Sequence, residues 1–531
     1  MGRAIITKCN LWHINKPYFF NFVVSTIFIL GVILNYWTIK APYFIDDDTD
    51  ILVGVNDINL TFKKMHLPFG YVHGPSTFYI TKLSSILFGK NYFGWRFIQY
   101  LSTIFIIFII YYMTMRIFHK TAAFFALCLS VLNLFFIYNS NYIGEEIYFI
   151  LFNTLALMFF FISLKENKER DIILTSIMIG LGFMTKITTI WLPVSLIIYI
   201  FMNRSEFYFV KKNVWFKCLF IIILFILPYL YWLINSGEVV TPYVYDLFGA
   251  QMRLNIPQLF IGYFTMANEN IDYNLGYNIV GPIQGLIGFC GIIYCLIKRK
   301  DKYVNLLNVI FLVMLFISLF IFSGKGAEPR HFSLLIVISI IAGSILLNHI
   351  WKKSAIYKIL VIMIVSIILI ETVSYVSKLK SYYYPLHSKL RLSSWGMGQE
   401  QVDLNEISKK FINLCYYFKP SLIIFPAKGL DSTAHFVTAY TGIKTMSSLI
   451  IDKYLHYDID DLQRVVIFFT SEDNIDKYIK WARAKNYNYY FQDSILNIME
   501  FRLPIKILFM SGERDNVSIE DISLLKSMIY R

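Results

Sequence analysis

Apolar runs of membrane-spanning length recur along this chain and restrict what it can fold into. A helix that crosses the hydrocarbon core of a bilayer needs roughly 20 apolar residues. Runs of that size occupy 18–38, 95–115, 121–140, 146–164, 214–234, 278–297, 303–323, 330–350 and 355–376. A longer stretch, 172–202, is interrupted by Lys186 and Pro193, and we interpret it as two short segments that meet near Lys186. We therefore expect a polytopic α-helical membrane protein with about eleven transmembrane helices.

The composition excludes several other classes of protein. Only 16% of the residues are charged and 57% are hydrophobic, whereas a soluble domain carries about 25% charged residues. The net charge of +14 does not indicate a nucleic-acid partner, because excess lysine and arginine in a polytopic chain is expected in its cytoplasmic loops. The six cysteines lack the spacing of a metal or redox site. We expect no organic cofactor.

Basic residues collect in alternate connections between the apolar runs. They are Arg3, Lys8, Lys16, Arg116, Lys120, Lys165, Lys168, Arg170, Arg204, Lys211, Lys212, Lys217, Lys298, Arg299, Lys300, Lys302, Lys352, Lys353 and Lys358. The positive-inside rule then predicts a cytoplasmic N-terminus. No signal-peptide cleavage site follows the first run, so we expect it to stay as an anchor in the cell membrane, taken here as a bacterial inner membrane.

The character of the chain changes after the last apolar run. Residues 1–376 form the expected transmembrane domain. Residues 377–531 contain more charged residues. They include strand-like runs at Ser421–Pro426 and Val465–Thr470 and a helix-like stretch at Asn474–Ala484. An odd number of spans puts this second part outside the cytoplasm. We expect it to be a compact extracytoplasmic α/β domain.

The first outer loop, 39–94, opens with an acidic cluster formed by Asp46, Asp47, Asp48 and Asp50. Clustered carboxylates suit a general base or a divalent cation. The alternative is a solvated acidic turn that caps the next helix. His73, later in the same loop, is a candidate metal ligand or phosphate donor, or simply a loop residue bonded to the backbone. Between them, the apolar pattern of 51–65 suits a helix in the membrane interface.

A second acidic feature lies at the outer start of a membrane helix, where Glu145 and Glu146 are adjacent. Neighbouring residues on a helix face about 100° apart, so we expect at most one of them to point into the bundle. A favourable interaction with the N-terminal end of the helix dipole is the alternative explanation.

Cations at the outer level of the spans complete the candidate site. They are Lys186, Arg253, Lys325 and Arg330, with His331 beside the last. Ionisable residues within spans are costly and are functional candidates by default, although snorkelling to the interface is an alternative. Together these cations favour a phosphate or diphosphate partner. Carboxylates and phosphate-binding cations at the level of the lipid headgroups are what group transfer from a lipid-linked donor requires.

The order of these motifs resembles the GT-C glycosyltransferases that use polyprenyl-phosphate sugars. The resemblance is to the protein O-mannosyltransferase-like group, which includes the bacterial lipid A aminoarabinose transferases, and it covers about the first 350 residues. The segments that carry it are Asp46–Asp48, His73-Gly74-Pro75 with Phe78 and Tyr79, Phe88-Gly89 with Arg96, Glu146 with Phe152 and Thr154–Leu157, Gly180 and Gly182 with Lys186, and Arg330-His331-Phe332.

The resemblance implies a catalytic carboxylate in the first acidic cluster, and we select Asp47, with Asp48 and Asp46 as the alternatives. It implies a polyprenyl-phosphate-linked sugar as donor and a lipid, glycan or protein as acceptor. Glu146 would position the acceptor, or bind a divalent metal with Asp47 and His73, while Lys186, Arg253, Arg330 and Lys325 would hold the phosphate. The sequence departs from the family pattern at Gly74, where the family usually has a second proline.

Two interpretations of a different class compete with the transferase. A transporter or flippase of a lipid-linked intermediate commonly has internal repeats and charges near the membrane midplane, and this sequence has neither. A sensor or scaffold that displays the C-terminal domain would not need a charge such as Lys186 within the spans.

Overall fold

The structure is a computed structural model. It describes residues 17–36, 51, 55, 74–140, 143–235, 282–321, 333–383, 422–425, 444–447, 464–470, 479–480, 483, 488–498 and 501–511. The acidic cluster and most of the expected interfacial helix at 51–65 lie outside these residues. Of that expected helix, Ile51 and Val55 are described, and both are buried.

Helices make up the described part of the first 383 residues. They are α1 (Pro17–Tyr36), α2 (Pro75–Phe88), α3 (Tyr92–Ile117), α4 (Lys120–Val131), α5 (Leu134–Asn139), α6 (Glu146–Glu166), α7 (Glu169–Phe183), α8 (Trp191–Met202), α9 (Lys212–Asn235), α10 (Pro282–Ile297), α11 (Lys302–Ile321), α12 (Leu334–Trp351) and α13 (Ala355–Tyr383). Short 3₁₀ helices occupy Ile187–Ile190 and Arg204–Phe207. The expected pair of segments in 172–202 is confirmed, because α7 ends at Phe183 and α8 begins at Trp191.

The chain is a multi-pass membrane protein. Within the described residues, five helical segments are long and apolar enough to cross a bilayer: Phe93–Ile117, Glu146–Glu166, Lys212–Leu230, Leu334–Trp351 and Ala355–Ser374. Large apolar side chains such as Phe216 and Phe220 on α9 and Ile356 and Ile370 on α13 are exposed. Such surface is unfavourable in water but matches lipid tails.

The helices pack around a core that is continuous from α3 to α13. α6 packs on α7 and α3, α7 on α9, α4 on α12, and α10 on α12. The last contact is close, because a Cβ on Gly291 of α10 would lie less than 3.0 Å from the backbone of Gly343 in α12. Small residues allow such close approach between membrane helices.

One expected span is wrong in detail. The run 121–140 is not a single helix, since α4 ends at Val131 and α5 starts at Leu134. The backbone groups freed by this break are satisfied by neighbouring helices: Gln284 Nε2 of α10 donates to the Leu129 carbonyl at 2.6 Å, and Thr372 Oγ1 of α13 donates to the Leu132 carbonyl at 2.9 Å. Such pairing is what a broken helix in lipid requires.

Ion pairs and hydrogen bonds connect several helix ends at one end of the bundle. Arg116 in the last turn of α3 forms an ion pair of 2.6 Å with Glu166 at the end of α6. Lys302 at the start of α11 pairs with Glu206 at 2.8 Å and donates to the Leu164 carbonyl at 3.3 Å. With 21 residues, α6 is about 30 Å long. Glu146 therefore lies about one bilayer thickness from this network.

The described residues after 383 include a five-stranded sheet. Its strands are β1 (Leu422–Phe425), β2 (Lys444–Ser447), β3 (Arg464–Thr470), β4 (Asn488–Ile498) and β5 (Phe501–Ser511), in the order β2-β1-β3-β5-β4. β1 runs parallel to β2 and β3, whereas β5 is antiparallel to β3 and β4. The two expected strands are β1 and β3. Of the expected helix 474–484, only residues 479, 480 and 483 are described, and they are helical.

Candidate functional site

Two adjacent glutamates lie buried at the start of α6. The helix begins at Glu146, and Glu145 is its N-cap residue, whose carbonyl accepts the first helical hydrogen bond from the Phe149 amide at 2.8 Å. Their residue exposures are 7% for Glu145 and 3% for Glu146. Glu145 itself has helical backbone angles, φ −82° and ψ −18°.

The turn before Glu145 is held by a buried amide side chain from α3. Gln99 Nε2 donates to the Asn139 carbonyl at 2.8 Å, and Gln99 Oε1 accepts from the Gly144 amide at 3.4 Å. Gln99 therefore contacts both sides of the short connection between α5 and α6. Nothing in the sequence distinguishes Gln99 from an ordinary polar residue of a membrane helix, and sequence reasoning missed it.

Lys186 lies in the turn that connects α7 to α8. The Gly182 carbonyl accepts from the amides of Thr185 and Lys186 at 3.0 and 2.9 Å and from Thr185 Oγ1 at 2.6 Å. A Cβ on Gly182 would lie 2.8 Å from the Thr189 side chain. The turn is compact, because one carbonyl accepts three hydrogen bonds and Gly182 packs against Thr189. Lys186 extends from this turn and is buried, with only 5% of its surface exposed.

The lysine and both glutamates form one buried ion cluster. Lys186 Nζ lies 2.7 Å from Glu145 Oε1 and 3.1 Å from Glu146 Oε1. The expectation that at most one glutamate points into the bundle is wrong, because both carboxylates contact the Lys186 ammonium group. The cluster of one ammonium group and two carboxylates has a formal charge of −1. A buried cluster of charges contributes little net stability, and removing its counter-charge is strongly destabilising.

Buried hydroxyl groups accompany this cluster. Thr188 follows Lys186 by two residues, and Thr77 lies in the first turn of α2, which contacts the Lys186 turn. Neither hydroxyl has a hydrogen-bond partner within the described part of the chain.

The described residues do not fit a bound divalent metal. They contain no group of three or more histidine, cysteine, aspartate or glutamate side chains that could hold an ion. Glu146, the described member of the expected ligand set, already binds the Lys186 ammonium at 3.1 Å. An ammonium group repels a second cation at the same oxygen. Asp47 and His73 lie outside the described residues.

The structure thus brings together two of the expected site residues, Lys186 and Glu146, and adds Glu145 and Gln99. The other expected site residues lie outside the described part of the chain: Asp46, Asp47, Asp48, His73, Arg253, Lys325 and Arg330. Gly74, next to His73, is described and contacts the Lys186 turn through its backbone.

A family model matches the part of the chain that contains this ion cluster. Residues 72–232 match the family model for dolichyl-phosphate-mannose-protein mannosyltransferase, a segment that includes Gly74, Glu145, Glu146 and Lys186. The family resemblance inferred from the motifs is therefore confirmed for the segment that contains the ion cluster. A search of curated proteins finds no match.

Solved structures share the fold at low sequence identity. AglB, the oligosaccharyltransferase of Archaeoglobus fulgidus, in complex with an inhibitory peptide and a dolichol-phosphate, aligns with a TM-score of 0.56 and 13% identity, over 96% of this chain and 76% of AglB. The same enzyme in complex with Zn and sulfate gives a TM-score of 0.55 and 14% identity over 89% and 72%. ArnT from Cupriavidus metallidurans bound to undecaprenyl phosphate gives 0.56 and 11% over 94% and 98%. The helical part has an AglB- and ArnT-like GT-C membrane fold.

Proposed function

We propose that this chain is a membrane glycosyltransferase that moves a sugar from a polyprenyl-phosphate donor to an acceptor hydroxyl. The observation that carries the proposal is the buried cluster of Lys186, Glu145 and Glu146 at one end of the bundle, within the segment that matches the mannosyltransferase family model. The solved AglB and ArnT complexes contain dolichol-phosphate and undecaprenyl phosphate. A polyprenyl phosphate is therefore the donor carrier we assign.

In the proposed reaction, Asp47 takes the proton from the acceptor hydroxyl, and Asp46 and Asp48 are the alternative bases. The acceptor oxygen forms a new bond to the anomeric carbon while the bond between that carbon and the phosphate oxygen breaks. The electron pair leaves with the polyprenyl phosphate, and the configuration of the sugar inverts. General-base assistance and stabilisation of the departing anion are the two contributions that the protein makes.

The phosphate is assigned to Lys186, Arg253, Lys325 and Arg330. Since the cluster of Lys186 with its two glutamates carries a formal charge of −1, Lys186 does not by itself present net positive charge to an anion. The other three cations would supply that charge, and Lys186 would also hold Glu146 in place to orient the acceptor. Arginine suits this role because its fork of N–H groups matches phosphate oxygens.

The proposal includes the membrane topology inferred from the sequence. About eleven helices would cross the membrane, with the N-terminus in the cytoplasm and the Lys186 cluster on the outer side of a bacterial inner membrane. Residues 1–376 would form the catalytic domain, with its long first outer loop at 39–94, and 377–531 an extracytoplasmic α/β domain. The acceptor would be a lipid, a glycan or a protein, with no nucleic acid involved.

A divalent cation remains a separate hypothesis. The Zn and sulfate complex of AglB and the clustered aspartates of the first outer loop favour it, whereas the pairing of Glu146 with Lys186 argues against Glu146 as a ligand. We assign no reaction step to a metal. Activity measured after exhaustive chelation, with and without added Mn²⁺ or Mg²⁺, tests the requirement: unchanged activity removes the metal from the proposal.

The test of function is a reconstituted assay with radiolabelled polyprenyl-phosphate sugars and a membrane extract as the source of acceptor. Wild type should transfer label into a new product, and Asp47→Asn and Glu146→Gln should lose this transfer. Glu166→Gln is the matched control, because Glu166 pairs with Arg116 at the opposite end of the bundle. It should retain activity. Donor that crosses the bilayer intact, equally in wild type and in the variants, would replace the transferase by a flippase.

A further inference from the structure

The entry into α2 is joined to the Lys186 turn by backbone hydrogen bonds. The Gly74 amide donates to the Thr185 carbonyl at 3.0 Å, and the Ser76 amide donates to the Met184 carbonyl at 3.0 Å. Ser76 lies in the first turn of α2, where amides have no partner within their own helix. The amides at the start of α2 therefore satisfy carbonyls in the turn that carries Lys186.

This junction requires glycine at position 74. Gly74 has φ −65° and ψ 141°, an extended conformation that any residue can adopt, so backbone freedom is not the reason. Space is the reason, because a Cβ at this position would lie closer than 3.0 Å to the carbonyl oxygens of both Met184 and Thr185. Backbone carbonyls cannot move aside as the end of a flexible side chain can.

The same geometry explains the departure from the family pattern. A proline at position 74 has no N–H group, so it could not donate to the Thr185 carbonyl, and its ring would occupy the space that is missing even for a Cβ. The residue that differs from the family pattern is thus the residue on which this contact depends. Restoring the family proline should damage the junction in this chain.

The junction acts on Lys186 through a short path. Thr185 precedes Lys186 directly, and both residues bond to the Gly182 carbonyl. Lys186 in turn contacts Glu145 and Glu146 at 2.7 and 3.1 Å. A shift of the Thr185 carbonyl would therefore move the lysine relative to both glutamates.

We propose that Gly74 is a positioning residue whose backbone junction with Met184 and Thr185 holds Lys186 in place relative to the first outer loop. This inference rests on the proposed function for its catalytic consequence, since the loop carries the proposed base and Lys186 belongs to the proposed phosphate site. Gly74 touches neither donor nor acceptor in this assignment. It fixes where the donor phosphate binds relative to the base.

The first experiment measures the position of Lys186 without any substrate. The purified full-length protein is treated with an amine-acylating ester, and the rate of modification at Lys186 is followed by mass spectrometry of its peptide. Lys186 should react slowly in wild type because it is buried and paired. In Gly74→Ala the rate should rise roughly tenfold, since the lost hydrogen bonds favour local opening of the turn.

Two further variants keep the experiment decisive. Ser76→Pro removes the donor of the second hydrogen bond, which lies in the first turn of α2 and has no partner within its own helix, and it carries the test if Gly74→Ala does not accumulate. Gly291→Ala introduces an equally severe backbone clash between α10 and α12, away from Lys186. It should lower thermal stability without changing Lys186 modification. Wild-type rates in both Gly74→Ala and Ser76→Pro, or an equal increase in Gly291→Ala, overturn the proposal.

The second experiment measures the catalytic consequence. In the transfer assay, kcat/KM for the donor should fall roughly 10²-fold in Gly74→Ala, because small misplacements of positioning groups have effects of that size. An unchanged donor kcat/KM in an active enzyme contradicts the positioning role. If wild type neither transfers sugar nor binds undecaprenyl phosphate, the proposed function fails, and the Lys186 modification rates still decide whether the junction exists.

Discussion

At the scale of single residues, Lys186 illustrates what burial does to an ion pair. Its side chain and that of Glu146 are about equally buried, at 6% and 4% exposure, whereas Lys302 and Glu206 at the other end are 35% and 38% exposed. The distances are similar, 3.1 and 2.8 Å. Exposed pairs contribute about 1 kcal/mol or less, but a buried charge that loses its partner is strongly destabilising.

The two lysines should therefore respond differently to the same substitution. Lys186→Met removes the ammonium group that lies against two buried carboxylates and should lower the free energy of unfolding by about 3–5 kcal/mol. Lys302→Met should lower it by about 1 kcal/mol or less. Thermal unfolding in detergent measures both. Combining Lys186→Met with Glu145→Gln and Glu146→Gln should recover much of the loss, and equal effects of the two single substitutions would contradict this account.

A second residue-scale prediction concerns the pH dependence of stability at His119. Desolvation lowers the pKa of this imidazole, and Lys352 and Lys120 lower it further. Its Nδ1 accepts from the Thr121 amide at 3.1 Å as the N-cap of α4, which requires a nitrogen without a proton. The pKa of His119 in the folded protein is below its unfolded value of about 6.5. The stability that the neutral imidazole contributes is therefore complete above the unfolded pKa, and it is lost as pH falls through the folded pKa.

Thermal unfolding between pH 8 and pH 5 tests this sign. Wild type should lose more stability on acidification than His119→Asn, because asparagine also caps helices and does not titrate. The difference should be small, since His119 is exposed and solvent screens its charge. A wild-type curve that is parallel to that of the variant over this range would exclude His119 as a contributor.

The sequence identified Lys186 but not its full environment, and the reason is physical. A lysine within an apolar stretch is conspicuous because charge in lipid is costly. The contribution of Glu145 depends on how far its long side chain reaches towards Lys186, and adjacent positions on a helix, which face about 100° apart, do not predict this. Gln99 and Gly74 act through backbone groups that are distant in sequence, and no local pattern records such contacts.

At the scale of elements, the break between α4 and α5 shows that an apolar run does not by itself predict a continuous helix. Residues 121–140 are apolar enough to be one helix, yet the chain departs from helical geometry at Leu132 and Asn133. The hydrogen bonds that stabilise this break come from Gln284 and Thr372, which are far away in sequence. The break is thus a tertiary feature that the run itself could not reveal. The uninterrupted spans, by contrast, were recognisable from length and hydropathy.

The amide of Gln284 should be important for stability and unimportant for transfer. Gln284→Leu leaves the buried Leu129 carbonyl without its partner, which should cost about 1–3 kcal/mol. Leu286→Ala on the exposed face of the same helix is the control and should change stability by about 0.5 kcal/mol or less. Thermal unfolding separates the two variants. Loss of transfer per folded molecule in Gln284→Leu would mean that the break belongs to the site.

At the scale of the whole molecule, two groups of ion pairs lie at opposite ends of the bundle. The Arg116–Glu166 and Lys302–Glu206 pairs lie at one end, where the basic connections of the sequence collect. The Lys186 cluster lies about 30 Å away along α6, a distance that matches the hydrocarbon core. This separation agrees with the alternation of basic and non-basic connections along the sequence.

The orientation can be tested with single cysteines in a background where the six native cysteines are replaced. Lys90 lies between α2 and α3, on the side where α6 starts, whereas Lys300 and Lys353 lie in the turns after α10 and α12. The positive-inside rule predicts that a membrane-impermeant maleimide labels Lys90→Cys in intact cells. It should label Lys300→Cys and Lys353→Cys only after permeabilisation.

The opposite labelling pattern would have a specific consequence for the mechanism. It would put the Lys186 cluster on the cytoplasmic side, so that transfer would occur on the inner face. With an odd number of membrane crossings, the sheet formed by β1–β5 would then also lie in the cytoplasm. Labelling of all three cysteines in intact cells would instead indicate damaged membranes, which a cytoplasmic marker protein detects. The predicted pattern, together with loss of transfer in Glu146→Gln, would assign the reaction to the outer face, because the cluster and the labelled loop lie at the same end of the bundle.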